Sequence, residues 1–176
     1  DILQQAKGWG RSVRLLKYKQ AVDSPDTDRY FALKGGFIAS HPEEHTPRMA
    51  RISSRKPSDG DKTDCRIAWM LALHCPPPAI TVVSGSRMMA FVAAEPDIEP
   101  GCRTVAWKCK SLKGATVALT VDPPSHEALQ PLFDSGVEGI VIPGNSRYTE
   151  AVANHANAHG AFAVTTGYSQ LEPGGL

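Results

Sequence analysis

The last third of the chain constrains the fold most, because apolar segments of strand length alternate there with segments of helix length. Strands are predicted at Ala115–Val121, Glu138–Ile142 and Ala161–Thr165. A helix from Ser125 to Phe133 and another over Tyr148–His159 are predicted between them. Strands that alternate with helices through short connections are typical of a parallel α/β unit. The sequence therefore predicts an α/β fold built on a parallel sheet.

The middle of the chain has a less regular pattern. A helix over Cys65–Leu73 is predicted from apolar residues at helical spacing, with Asp61, Thr63 or Asp64 as its N-cap. Pro76-Pro77-Pro78 ends that helix. A continuous β-branched run favours a buried parallel strand. The further elements expected here are that strand at Ala79–Val83, a helix at Met88–Ala94, a strand at Arg103–Trp107 and a basic connector at Lys108–Gly114.

Charge is distributed unevenly along the chain. Residues 1–20 carry five basic residues against Asp1, whereas the chain from Gly114 onward carries Arg147 against six acidic residues. Such polarity favours a basic arm that contacts RNA or an acidic protein surface, and a solvated arm is the alternative. We expect three parts: a basic extension over 1–29, a larger domain over 30–108 and a smaller, incomplete α/β domain over 109–176.

Composition excludes several classes of protein. Apolar residues make up 41% and charged residues 21%, which is unlike a disordered chain. No apolar run approaches the roughly 20 residues that span a bilayer, and no signal peptide is predicted. His155 and His159 lie one helical turn apart without the glutamate of a zinc motif, so surface histidines are favoured, and neither a metal nor a cofactor is expected.

The cysteines bear on the compartment. Cysteines 65, 75, 102 and 109 have no C-x-x-C spacing, which favours free thiols in a reducing intracellular compartment. The arginine-containing, acid-poor start also resembles the remainder of an organellar transit peptide, so a mitochondrial location is suspected.

A glycine turn dominates the stretch Tyr30–Ser40. It reads as an apolar strand that stops at Lys34 and turns through Gly35-Gly36. In an open α/β sheet, the loop at the carboxyl end of such a strand binds ligands. The next residue, Phe37, has no nucleophilic atom.

Six motifs, in order, resemble the bacterial-type (type I/II) L-asparaginase family. The resemblance implies a three-layer, parallel-sheet asparaginase-like fold with a larger N-terminal domain and a smaller, truncated C-terminal one. Gly35–Ala39 is similar to the Gly-Gly-Thr-Ile-Ala turn of the family, with its threonine replaced. The other similar segments are Ile52–Arg55, Asp59–Thr63, Ala79–Arg87, Gly136–Gly144 and Ala161–Gly167.

The resemblance also implies that catalysis is lost. The two threonines of the family correspond to Phe37 and Asp61, and its tuning aspartate to Lys62. Nucleophilic catalysis needs a hydroxyl or thiol beside a base. A pseudoenzyme is therefore expected, with a vestigial pocket formed by Phe37, Ser54, Arg55, Asp61, Lys62 and Thr63.

The function expected from the resemblance is that of a non-catalytic structural subunit in a larger protein assembly, with an organellar, mitochondrial ribosome-like ribonucleoprotein as a candidate. One alternative is an active asparaginase- or glutaminase-type amidohydrolase in which Ser54, Asp61 or Thr63 takes over catalysis. Another is a small amino-acid-binding sensor. The residues predicted to contact RNA or a protein partner are Lys7, Arg11, Arg14, Lys17, Lys19, Arg48, Arg51 and Lys56.

Overall fold

The structure, a computed structural model, describes residues 29–40, 48–144 and 147–168. The chain falls into two compact units, residues 1–44 and 45–176. In the first unit, β1 (Arg29–Leu33) and β2 (Gly36–Ser40) form an antiparallel hairpin. Gly35 has φ +96°, where a Cβ atom would be strained. The predicted glycine turn is confirmed, but it joins two antiparallel strands and does not open a ligand-binding loop of a parallel sheet.

The second unit contains a six-stranded mixed sheet. Its strands are β3 (Ala50–Arg51), β4 (Ala79–Ser84), β5 (Arg87–Ala93), β6 (Thr116–Leu119), β7 (Gly139–Ile142) and β8 (Phe162–Thr165). Their order across the sheet is β3-β8-β7-β6-β4-β5. β6, β7 and β8 run parallel, and every other neighbouring pair is antiparallel. The α/β class and the parallel unit in the last third are therefore confirmed.

Helices pack on both faces of this sheet. Alternate side chains of β6 show why: Val117 and Leu119 belong to one buried cluster and Ala118 belongs to the other. The described helices are α1 (Asp59–Leu73), α2 (Ile98–Cys109), a 3-10 turn (Glu127–Leu129), α3 (Gln130–Asp134) and α4 (Thr149–Ala158). The first cluster includes residues of α2, α3 and α4, and the second includes residues of α1.

Helix α1 begins at Asp59 rather than at Cys65 as predicted. Its N-cap is Ser58, whose hydroxyl accepts from the Asp61 amide at 3.2 Å. The Asp61 carboxylate in turn accepts from the Ser58 amide at 2.8 Å. This reciprocal capping box satisfies two amides of the first turn, so the helix starts earlier than its apolar face does.

Two further predictions in the middle of the chain are wrong. Met88–Ala94, predicted as a helix, lies almost entirely in strand β5, because a tight turn through Gly85 (φ 55°) and Ser86 (φ 61°) folds that run back onto β4. Arg103–Trp107, predicted as a strand, lies in α2. Pro100 does not break α2, because it occupies the first turn, where its missing amide has no intrahelical partner.

Strand β4 is buried as predicted, but it is antiparallel to both β5 and β6 rather than parallel. The continuous β-branched run reflects helices on both faces and does not fix strand direction. A domain boundary was predicted between Lys108 and Cys109. These are the last two residues of α2, and strands from before and after them belong to one sheet.

Candidate functional site

A cleft lined by positive charge lies beside the N-terminal half of α1. Its volume is about 240 Å³. We call it the basic cleft. It is lined by Met49, Arg51, Lys56, Pro57, Lys62, Cys65, Arg66 and Val164.

The charged rim of the basic cleft is only partly neutralised. Lys62 Nζ lies 2.7 Å from Asp59 Oδ1, and this contact lowers the pKa of the Asp59 carboxyl. Arg51 Nη1 donates to the Ser54 carbonyl oxygen at 2.7 Å, which leaves its charge unpaired by any described carboxylate. Within the described ranges, Lys56 and Arg66 have neither a hydrogen bond nor an ion pair from their side chains. The cleft therefore carries a surplus of positive charge.

The floor of the basic cleft is apolar. Met49 packs against the cluster beneath α1, and Pro57, Cys65 and Val164 are buried. Burial, followed by the nearby Asp61 and Asp64 carboxylates, raises the pKa of the Cys65 thiol to about 12. The thiolate is the reactive form of cysteine, so Cys65 stays protonated and unreactive near neutral pH. The cleft is suited to binding an anion and not to thiolate chemistry.

A second candidate place is the edge at which the parallel strands end. Asp122 follows β6, and its Oδ1 accepts from the Gly144 amide, after β7, at 2.8 Å. Gly144 has φ +83°, and a Cβ atom there would overlap the Thr165 side chain. Ligands of open α/β sheets bind at this edge. Asp122 therefore fixes the loop after β7 in a position where a ligand would be expected.

Histidines form a third cluster. The ring of Phe133 lies 4.8 Å from the rings of both His155 and His159, and His126 lies 5.1 Å from His155 (centroid distances). Burial, followed by the neighbouring histidines, lowers the pKa of His155. The predicted pair His155 and His159 thus belongs to an aromatic cluster in which His159 is exposed and His155 half-buried. Among the described residues, no group of three or more histidine, cysteine or acidic side chains could hold a metal ion.

The residues of the predicted vestigial pocket have separate local roles. Phe37 lies on β2 of the first unit and is 66% exposed. Both the amide and the hydroxyl of Ser54 donate to Asn157 Oδ1, at 2.7 and 2.8 Å. Arg55 donates to the Gly160 carbonyl oxygen at 3.0 Å and pairs with Glu138 at 2.9 Å.

The rest of the predicted pocket lies on α1. Asp61 caps the helix, and the Thr63 hydroxyl donates to the Asp59 carbonyl oxygen at 3.0 Å. Of the six predicted pocket residues, Lys62 lines the basic cleft.

The predicted partner-contact residues divide in two. Lys7, Arg11, Arg14, Lys17 and Lys19 lie outside the described residues. Arg48 is exposed, whereas Arg51 and Lys56 line the basic cleft.

Sequence reasoning missed five residues that line the cleft: Met49, Pro57, Cys65, Arg66 and Val164. Lys62 and Arg66 are spaced four apart, which places both on one side of α1, and this signal becomes visible once the helix is started at Asp59.

None of the helices in the described ranges is long and apolar enough to cross a bilayer.

The chain matches no protein-family model. It is similar to bifunctional purine biosynthesis proteins named PurH. The protein of Persephonella marina is 20% identical over 172 residues, which cover 95% of this chain and 33% of the relative. The protein of Anoxybacillus flavithermus is 24% identical over 162 residues, covering 89% of this chain and 32% of the relative. The protein of Magnetococcus marinus is 25% identical over 127 residues, covering 66% of this chain and 24% of the relative. The chain thus spans a third or less of the length of these relatives.

These relatives overturn the asparaginase resemblance and the functions inferred from it. The structural subunit of a mitochondrial ribonucleoprotein and the pseudoenzyme are wrong, since these relatives are named as purine biosynthesis proteins. None of these relatives supports the amidohydrolase or the amino-acid sensor either. Four of the six misleading motifs combine an apolar strand with a glycine turn, a pattern that many α/β proteins share. The structure gives the decisive motif another setting, because Gly35-Gly36 closes an antiparallel hairpin.

Proposed function

We propose that this chain functions in purine biosynthesis, as a segment of an enzyme related to PurH. The observation that carries the proposal is the length of the similarity, which reaches 95% of the chain in the Persephonella marina protein. PurH proteins of two other organisms match this chain along 89% and 66% of its length. The proposal assigns the pathway and not a single reaction, because the chain spans 33% or less of these relatives.

The geometry of the sheet supports an enzymatic role. Parallel strands β6, β7 and β8 end at one edge, where α/β enzymes bind their substrates. Asp122 joins the loops after β6 and β7 at that edge. We propose that substrate binds there and that the Asp122 carboxylate contributes charge to the site.

The test is genetic. Deleting the gene that encodes the chain should make its host dependent on added hypoxanthine or adenine, and the wild-type gene should restore growth without purine. Asp122→Asn keeps an oxygen that accepts from the Gly144 amide but removes the charge, so this variant should restore growth poorly. Asp134→Asn is the matched control, because Asp134 is an exposed carboxylate that accepts from Gln130. Growth of the deletion strain that is independent of purine would refute the proposal.

A further inference from the structure

We propose that the histidine cluster is a pH-sensitive switch that opens the C-terminal end of α4 as the pH falls. The cluster comprises His126, which precedes the 3-10 turn, Phe133 of α3, His155 of α4, and His159, the C-cap of α4. Neutral imidazoles pack together and hold this end of the helix closed, whereas protonated imidazoles repel one another and release it. The inference depends on the geometry of the cluster and not on the role in purine biosynthesis.

The three imidazoles pack closely around one apolar ring. The centroid of the His155 ring lies 5.1 Å from that of His126 and 4.6 Å from that of His159. The buried Phe133 ring contacts both His155 and His159. Two like charges at such a distance repel each other, and more strongly where the protein partly excludes water. The packed arrangement is therefore favourable only while most of the imidazoles are neutral.

His155 has the fewest means of accommodating a charge. Its Nε2 atom is buried and has no hydrogen-bond partner in the described part of the chain. A protonated imidazole carries a proton on both nitrogens, so a charged His155 would leave a buried donor without an acceptor. Closing the cluster around a charged His155 is therefore unfavourable.

The net effect of the surroundings is to keep His155 neutral. Burial, followed by the charges of His159 and His126, lowers the pKa of His155. The carboxylates that face it, Glu127 of the 3-10 turn and Asp134 of α3, oppose this shift but are exposed, so water screens them. His155 therefore takes up a proton more readily once the cluster has opened.

The other two imidazoles are fixed against His155. His126 Nδ1 lies 3.4 Å from Glu127 Oε2. His159 Nδ1 lies 3.0 Å from the His155 carbonyl oxygen. Neither ring can turn away from His155 without losing this contact, so a movement of the helix end is the simplest way to relieve the repulsion.

The helix end that the cluster holds also contacts the segment after β3. The amide and the hydroxyl of Ser54 both donate to Asn157 Oδ1 of α4. Arg55 donates to the Gly160 carbonyl oxygen at 3.0 Å. The next residue, Lys56, lines the basic cleft. Opening the end of α4 therefore frees a segment that forms part of the wall of the cleft.

The opening is confined to the last turn of α4. Val152 and Ala156 are fully buried in the core, so the earlier part of the helix stays docked. The amides of His159 and Ala161 donate to the Ala156 carbonyl oxygen, at 3.2 and 2.9 Å. These two hydrogen bonds break when the helix end moves away, and their amides then exchange with solvent.

Acid shifts the equilibrium toward the open form. His155 binds a proton more weakly in the closed form than in the open form, where its pKa returns toward the ordinary value of about 6.5. The closed form is therefore favoured above about pH 6.5 and loses stability as the pH falls below it. At about pH 5.5 a histidine with the ordinary pKa is protonated about ten times more often than it is neutral, so opening increases by up to about tenfold for each such group.

The experiment is NMR-detected hydrogen exchange of the full chain at about pH 7.5 and about pH 5.5, with rates corrected for the intrinsic pH dependence of exchange. We expect the protection of the His159 and Ala161 amides to fall by roughly fivefold to tenfold at the lower pH. The Thr120 amide, which donates to the Ala79 carbonyl oxygen, should keep its protection.

Substitutions assign the response to His155. His155→Phe keeps an aromatic ring and His155→Leu keeps an apolar side chain, and neither variant takes up a proton at this position. In each variant, the protection of the His159 and Ala161 amides should change by less than about twofold between the two pH values. His74→Gln is the matched control: His74 is an exposed histidine at the C-cap of α1, and its loss should leave the wild-type response.

Two results would overturn the inference. The first is equal protection of the His159 and Ala161 amides at both pH values in the wild-type chain. The second is the wild-type response in a folded His155→Phe or His155→Leu chain, which would assign the acid sensitivity to other groups. Neither result bears on growth without purine, so the switch and the proposed function fail separately.

Discussion

Gly139 offers a sharp test of how tightly the core between α1 and the sheet is packed. It lies in β7, paired with Phe162 of β8. A Cβ atom added at Gly139 would overlap the Phe162 ring. The distance from this Cβ to the ring atom Cε1 would be 2.6 Å. Phe162 is fully buried, so its ring cannot turn into solvent to make room. The glycine is required here because an aromatic ring occupies the space above it.

The size of the effect follows from two opposing contributions. Replacing glycine by alanine restricts the unfolded chain and would by itself stabilise the fold by about 0.4–1 kcal/mol. Forcing a methyl group into a packed core costs about 1–3 kcal/mol, and more when the neighbour cannot move. We expect Gly139→Ala to lower the free energy of unfolding by about 2 kcal/mol, since the obstructing atoms belong to a fully buried ring.

Urea unfolding followed by circular dichroism measures this change. Gly60→Ala is the control: Gly60 lies in the first turn of α1, and the nearest atom to an added Cβ is Ser58 Oγ at 3.7 Å. That variant should be as stable as the wild type or more stable by up to about 1 kcal/mol. In the double variant Gly139→Ala/Phe162→Leu, the smaller side chain should recover part of the loss, which would show coupling between the two positions. A Gly139→Ala chain as stable as the wild type would refute the packing argument.

Three further predictions concern other parts of the second unit. Ser58→Ala should lower the free energy of unfolding by about 1 kcal/mol, because it removes the N-cap of α1, and an unchanged urea midpoint would contradict this. Iodoacetamide at pH 8 should modify Cys75 while Cys65 and Cys102, whose pKa values burial raises to about 12, stay unmodified by mass spectrometry; equal labelling would contradict their burial. Because the pKa of His155 is lowered in the folded chain, its contribution to stability is present above about pH 6.5 and lost as the pH falls, so His155→Asn should reduce the loss of stability between pH 7 and pH 5. An identical pH dependence of urea unfolding in that variant would exclude this contribution.

The sequence predicted those parts of the fold that depend on local periodicity. β6, β7 and β8 are short apolar runs separated by helices with glycines after them, so their order and their parallel pairing could be read directly. Strand β5 could not be predicted in this way, because a seven-residue apolar run with methionines at exposed positions fits a helix as well as an edge strand. Its pairing with β4 depends on a non-local contact and on the tight turn at Gly85-Ser86.

Strand direction and motif identity were not available from local patterns either. β4 is buried on both faces, which parallel and antiparallel strands achieve equally when helices cover the sheet. A glycine turn after an apolar strand occurs in hairpins and in ligand-binding loops alike. The asparaginase interpretation required a ligand-binding loop at Gly35-Gly36. The antiparallel register of β1 and β2 shows that these two glycines form a hairpin turn instead.

The basic cleft shows why its members could not be assembled from the sequence. Val164 points to the α1 face of the sheet because it alternates with Ala163, and it pairs with Arg51 across β3 and β8. β3 is two residues long, so the edge of the sheet near Val164 has little strand cover. Lys62 and Arg66 come to the same place because α1 starts at Asp59 and presents residues four apart on one side. The cleft therefore arises from a short edge strand, a capping box and the two-residue period of β8. Each of these features is visible in the sequence by itself, but only the tertiary fold brings them together. Positive charge gathered at that meeting point without described carboxylates to balance Lys56 and Arg66 is what an anion site requires.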